Sequence, residues 1–128
     1  MFRRQILGRK DSFGKIYDVT RHFIEMRPWA RRKCVQGETC TIAINDLGDR
    51  KATLHSHPHE QISYILQGET DFQVGERVIQ VHPGDILVIP PNVPHGGGSK
   101  ACVMIDFFAP KRADFVECPY TDMPGETR

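Results

Sequence analysis

The stretch "ATLHSHPHEQISYILQGE", residues 52–69, sets His55, His57 and His59 at alternate positions and runs on into alternating polar and apolar side chains up to Gly68. Alternation with period two marks a strand with one buried face, because successive side chains leave a strand on opposite sides. Residues two apart share a side and lie roughly 6.5–7 Å apart, so imidazoles at His55 and His57 can converge on one ion about 2.1 Å from each nitrogen. An isolated His-x-His is more often a solvated turn, or a core histidine bonded to a carbonyl. What shifts the reading is the remainder of the chain: Gln61 follows four residues after His57, and "HPGDILVIPPNVPH" brings His95 behind a turn and a proline-bounded loop.

Further strand-like pieces recur on either side, with turn residues between them. "CTIAI" (40–44) is apolar and β-branched, "NDLGD" (45–49) reads as a turn and "KATLHSH" (51–57) leads back, which predicts a hairpin. "QISYIL" is followed by an expected turn at "QGE", "TDFQV" by one at Gly75 and Glu76, and "RVIQV" by the turn "HPGD". "ILVIP" then enters "PNVPHGGGS", whose prolines and glycines argue against a continuous strand before the apolar run "ACVMIDFF". With no convincing helix after residue 40, this spacing predicts an all-β sandwich or small barrel. "YDVTRHFIEM" (17–26) suits a strand or a helical turn, and an added edge strand is the expectation.

At 128 residues the chain is the size of one domain able to bury its own core. Charged residues, 26% of the total, nearly cancel to a net +1, so no global field draws the chain to nucleic acid or to an acidic membrane surface. The one basic cluster, "RPWARRK" (27–33), carries a single aromatic, Trp29, where single-strand binders repeat them. The basic N-terminal stretch lacks an apolar run of signal-peptide length, and no window approaches a membrane span. A cytoplasmic location is expected, with neither a nucleic acid nor a membrane as partner. Cys34, Cys40, Cys102 and Cys118 match no zinc or redox spacing and are expected as free thiols, Cys40 and Cys102 in the core.

Taken together, His55, His57, Gln61 and Gly68, then Gly84, Pro90 and His95, resemble the two motifs of the cupin superfamily. There, two histidines one residue apart precede a glutamate and a glycine, and a later glycine and proline precede a third histidine. Gly48 stands one residue further from His55 than is usual, Asn92 replaces an inner glycine, and Ser99 stands where asparagine is common. The resemblance implies a double-stranded β-helix, a small jelly-roll-like barrel over residues 35–116 that holds a divalent ion such as zinc, nickel, manganese or iron. It sets residues 1–34 apart as an N-terminal extension with an added edge strand and 117–128 as a C-terminal tail. It also implies a homodimer, since small cupins commonly lend an N-terminal strand to a partner's sheet.

The departure that matters chemically is Gln61, in the glutamate position. Three histidines and a carboxylate lower the formal charge of a divalent ion to about +1, whereas a neutral amide leaves it near +2, which favours Lewis-acid work on an anionic substrate. The amide oxygen can ligate directly, or Gln61 can instead hydrogen-bond a ligand histidine. His59, inside the turn before Gln61, is expected behind the ligands or exposed, and His22 and His82 at the surface.

In "MIDFFAPKRADF", Met104, Asp106 and Phe108 share one strand face, and Arg112 follows Asp106 by six residues. A carboxylate in an apolar strand is costly unless paired or functional, so Asp106 either makes an ion pair with Arg112 or serves chemistry. With the histidines, the pattern resembles the small uronate-ketonising cupins of pectin and alginate breakdown (KdgF type), whose motif reads "HSHPHEQ". That resemblance implies His55, His57, Gln61 and His95 as metal ligands, and Asp106, Phe108 and Arg112 as the residues that meet the substrate. It implies ring opening and ketonisation of a 4,5-unsaturated uronate, a small acidic sugar, with Asp106 moving the proton, Arg112 gripping the carboxylate by two prongs and Phe108 forming an apolar wall. A cupin dioxygenase or other small-molecule cupin enzyme, and a sugar-binding cupin without catalysis, are the other classes these residues leave open.

Overall fold

A computed structural model describes residues 12–20, 25–27, 30–51 and 53–124. Among them every helix-or-strand element is a strand: β1 (Ser12–Tyr17), β2 (Glu25–Arg27), β3 (Ala30–Gln36), β4 (Thr41–Arg50), β5 (Glu60–Val74), β6 (Arg77–Val81), β7 (Ile86–Ile89), β8 (His95–Ala109) and β9 (Tyr120–Pro124). The main sheet runs β2-β3-β4-β8-β5-β6 with β7 paired to β5, and β1 and β9 form a separate ribbon. All these pairings are antiparallel. The period-two reading of β5 holds, since residues 60–65 alternate exposed and buried. Ile65, Phe72, Val81, Ile89, Cys102 and Met104 form the apolar core.

Three expected breaks in the chain are continuous strand. "NDLGD" lies within β4, which pairs with β3 and β8, so residues 51–57 do not return beside it as a hairpin. Gly48, at φ 58°, takes up a shift of register there, and the strand bends without reversing. "QGE" is likewise a bulge inside β5: Gly68 has φ 76°, and a Cβ on it would fall 2.3 Å from the Ala101 carbonyl oxygen of β8. The run "HGGGS" opens β8 and pairs with β5 from Thr70 to Val74. Glycine weakens a strand but keeps its N–H for the ladder; only proline cannot donate, and the prolines end at Pro94.

The turn at Gly75 and Glu76 is as expected, closing β5 onto β6 with Val74 opposite Arg77. Of residues 17–26, Tyr17 pairs with Tyr120 in the ribbon, and Glu25 begins the edge strand β2. Residues 21–24, including His22, lie outside the described residues, as does Trp29. None of the four cysteines is in a disulfide; Cys102 is buried, but Cys40 is exposed because it sits in the β3–β4 turn, where the Gly37 N–H donates to its carbonyl (2.9 Å). His82 is exposed beside Asp85.

Candidate metal centre

Four segments supply the site. His55 precedes β5 and forms a two-bond bridge with His95 at the start of β8, each N–H donating to the other's carbonyl at 2.9 and 2.8 Å. Directly opposed residues of an antiparallel pair point the same way, so the two rings meet at 4.4 Å between centroids. This bridge depends on Gly96, where a Cβ would lie 1.8 Å from the Thr53 carbonyl oxygen. Gly96→Ala should force residues 53–55 off β8, destabilising the fold by about 3 kcal/mol. Denaturant titration measures that cost, and titration with a divalent ion should show weakened binding as His55 moves away.

His57 is placed from the other side, where the Asn92 N–H donates to its carbonyl at 2.8 Å. Asn92 has φ 65°, a conformation that asparagine accepts more readily than other side chains, which explains how it can stand where the motif has glycine. One ring nitrogen from each of His55, His57 and His95 can be chosen so that the three lie within 4.8 Å of one another.

Proton positions follow from the partners. His57 Nδ1 is 3.0 Å from the His59 carbonyl and His95 Nδ1 is 2.8 Å from the Val93 carbonyl. A carbonyl only accepts, so each Nδ1 carries the hydrogen and each Nε2 of a neutral ring presents a lone pair. Burial lowers the pKa of both histidines and keeps them neutral. Both Nε2 atoms face Gln61 Oε1, at 3.0 and 3.2 Å. The amide cannot turn round without loss, because its Nε2 donates to Ser63 Oγ at 2.9 Å and reaches Asp106 Oδ1 at 3.4 Å. Three acceptors thus converge with no proton among them. Such an arrangement repels itself unless a cation joins it, and the nitrogen-rich donor set fits a divalent transition-metal ion.

Gln61 connects this cluster to Asp106, which is buried in β8 and 4% exposed. Ser63 Oγ donates to its Oδ1 and Asn45 Nδ2 to its Oδ2, each at 2.6 Å. Burial raises the carboxyl pKa, and hydrogen bonds from Ser63, Asn45 and Gln61 pull against that rise. The Asn45 amide is oriented in turn by Arg32 Nε, 3.0 Å from its Oδ1.

His55, Gln61, His95, Asp106, Phe108 and Arg112 line one pocket of about 210 Å³. Drug-sized ligands occupy about 300–1,000 Å³, so this one suits a single sugar ring or something similar. Arg112 does not pair with Asp106. Its Nε and one terminal nitrogen hold Asp114 at 3.0 and 2.9 Å, which keeps the Asp114 carboxyl below the usual range. A two-pronged grip through that edge is therefore taken, and a ligand carboxylate would meet the terminal end of the guanidinium. His59 contributes its carbonyl rather than its ring to the centre.

Arg32, Asn45, Ser63 and Phe115 belong to the same constellation and escaped the sequence reading. Ser63 shares the parity of Gln61 and Ile65, and Arg32 that of the buried Cys34 and Gln36, so period-two counting could have found both. Asn45 was hidden by the turn-like composition of "NDLGD".

The family model of the cupin domain matches residues 45–108. The pectin degradation protein KdgF of Dickeya dadantii (strain 3937) is 40% identical over 111 residues, covering 77% of this chain and 100% of the relative. The solved structure of KdgF from Halomonas sp. superposes with a TM-score of 0.72 at 24% identity, over 78% of this chain and 98% of that one. An RmlC-like cupin from Shewanella frigidimarina superposes with a TM-score of 0.69 at 26% identity, over 74% of this chain and 88% of that one. The all-β architecture is thus the cupin fold, and the chain belongs to the cupin family as a homologue of KdgF.

Proposed function

We propose that the protein is a metal-dependent enzyme that converts a 4,5-unsaturated uronate into its open-chain keto form. The observation that supports this most is that a candidate metal ligand and a candidate proton carrier share one hydrogen-bond network, through Gln61 and Asp106, at the wall of a sugar-sized pocket. The 40% identical relative is a pectin degradation protein, which fits an acidic sugar as substrate.

His55, His57, His95 and Gln61 would hold the ion, which when bound supplies Lewis-acid stabilisation of negative charge on a substrate oxygen. Ketonisation is an isomerisation: the bond from ring oxygen to anomeric carbon breaks, a hydroxyl proton leaves, a proton is added at C4, and no oxidant is consumed. Asp106 is the group suited to move that proton, being buried beside the pocket and held at both oxygens by Ser63, Gln61 and Asn45. Arg112 would attract the carboxylate, and Phe108, 5.1 Å beneath the guanidinium, would exclude water from one side. Loss of the conjugated enol absorbance of unsaturated galacturonate tests the activity directly. Oxygen consumption by an iron-loaded sample, without that loss, would point instead to a dioxygenase.

Gln61→Glu separates binding from turnover. A carboxylate is the better metal ligand, so ion affinity should hold or rise. The new charge would stand beside an anionic substrate. At about 4–5 Å and an effective dielectric near 20 this is worth about 3–4 kcal/mol before relaxation, so turnover should fall by about tenfold or more even if half is screened. Wild-type kinetics in Gln61→Glu would remove the electrostatic argument for an acidic substrate.

A further inference from the structure

The wall of the pocket that carries Arg112 and Phe115 belongs to a strap, residues 110–118, that follows β8 and leads to β9. The strap is gripped from one face of β3. Arg32 lies 3.8 Å over the Phe115 ring, the Cys34 carbonyl accepts from the Cys118 N–H at 2.8 Å, and Gln36 Nε2 donates to the carbonyls of Arg112 (2.7 Å) and Phe115 (3.2 Å). The Arg32 and Gln36 side chains leave the strand on one side, and Cys34 between them contributes its backbone carbonyl.

The bonds at Gln36 close a ring. Its Oε1 accepts from the Thr41 hydroxyl, and Thr41 Oγ1 accepts in turn from the Arg112 N–H at 2.8 Å. Every proton has one consistent place: Arg112 N–H to Thr41, Thr41 O–H to Gln36, Gln36 N–H back to the Arg112 carbonyl. Both backbone polar groups of Arg112 are thereby fixed, which sets the direction in which its side chain leaves the strap. Gln36 and Thr41 are 6% and 0% exposed, so water cannot readily replace a lost bond. Both residues and the strap lie outside the span matched by the cupin family model, 45–108.

We propose that Gln36 and Thr41 are positioning residues that hold Arg112 and Phe115 against the pocket and so set its affinity for an anionic ligand. This rests on the reading of the pocket as a uronate site. Thr41→Val removes the hydroxyl at constant shape, Thr41→Ser keeps it, and Gln36→Glu keeps the shape while losing both donors. In Thr41→Val and Gln36→Glu, amide hydrogen exchange at Arg112 should quicken by about tenfold or more, and KM for unsaturated galacturonate should rise by a similar factor. Metal content should be unchanged and kcat within about threefold, as expected for loss of uniform binding. Thr41→Ser should resemble wild type in every readout. Wild-type exchange and KM in Thr41→Val would overturn the proposal, as would a parallel loss of kcat and metal. Should Gln36→Glu fail to fold, the Thr41 pair decides. A wild-type protein inert toward the uronate would sink the function while leaving exchange to judge the clasp: protection lost in Thr41→Val and kept in Thr41→Ser supports it, and protection kept in both overturns it.

Discussion

Asp106→Asn should reduce turnover by about a thousandfold while leaving metal content and most of the ligand affinity in place. General acid–base catalysis contributes about 10²–10⁴-fold, and among the described residues that line the pocket Asp106 is the one carboxylate. The substitution also disturbs its neighbours in a readable way. Asp106 takes hydrogen bonds from Ser63 and Gln61 on one oxygen and from Asn45 on the other. An asparagine can accept only through its single oxygen, so its amide nitrogen opposes either Asn45 Nδ2 or Gln61 Nε2, and in the second case the Ser63 hydroxyl must rotate to accept from it. Turning Asn45 round to relieve the first clash would break its bond from Arg32 Nε. The expected cost is about 1–3 kcal/mol of stability, visible as a lower denaturation midpoint in a folded protein. Calorimetric binding of a saturated uronate, beside the absorbance assay, separates the roles. Turnover within tenfold of wild type would end the proton-carrier assignment, and a protein that only binds sugar would not register the change beyond its stability.

Removal of either buried histidine should have the second large effect. His57→Ala and His95→Ala each delete one of four converging donors. If those four share a binding free energy of about 10–16 kcal/mol, one is worth about 3 kcal/mol, more than a hundredfold in affinity. Metal and turnover should vanish together at ordinary protein concentrations. His59→Ala should keep both, because the carbonyl of His59, and not its ring, orients His57. Metal analysis by mass spectrometry after dialysis checks all three variants. Full occupancy in His57→Ala would contradict the assignment.

Much of this architecture was legible because it is written in two kinds of local signal. Side-chain alternation identified β5, and the resemblance to the cupin motifs singled out His55, His57, Gln61 and His95 as a cluster. What could not be read was the response of glycine to its surroundings. Gly48 and Gly68 look like turn formers, yet each bends a long strand because a second strand pairs across it, and that pairing is a long-range fact. The same misreading concealed Asn45, which lies on β4 with its amide on Asp106, not in a hairpin loop. Arg112 was expected to face either Asp106 or a ligand with its full fork. Asp114, two residues on, holds one edge of it instead, a local contact that the spacing of the motif gave no reason to weigh. Arg32 lay in a basic cluster considered only as a surface for nucleic acid, whereas strand parity turns it inward beside Phe115.

The most direct test is a paired measurement on one preparation: the divalent metal bound per chain, and the rate at which unsaturated galacturonate loses its enol absorbance before and after removal of that metal with a chelator. We expect about one ion per chain, turnover that disappears with the ion, and turnover that returns when a divalent ion is restored. Undiminished turnover in metal-free protein, or a fully loaded protein that leaves the enol signal untouched, would contradict the account.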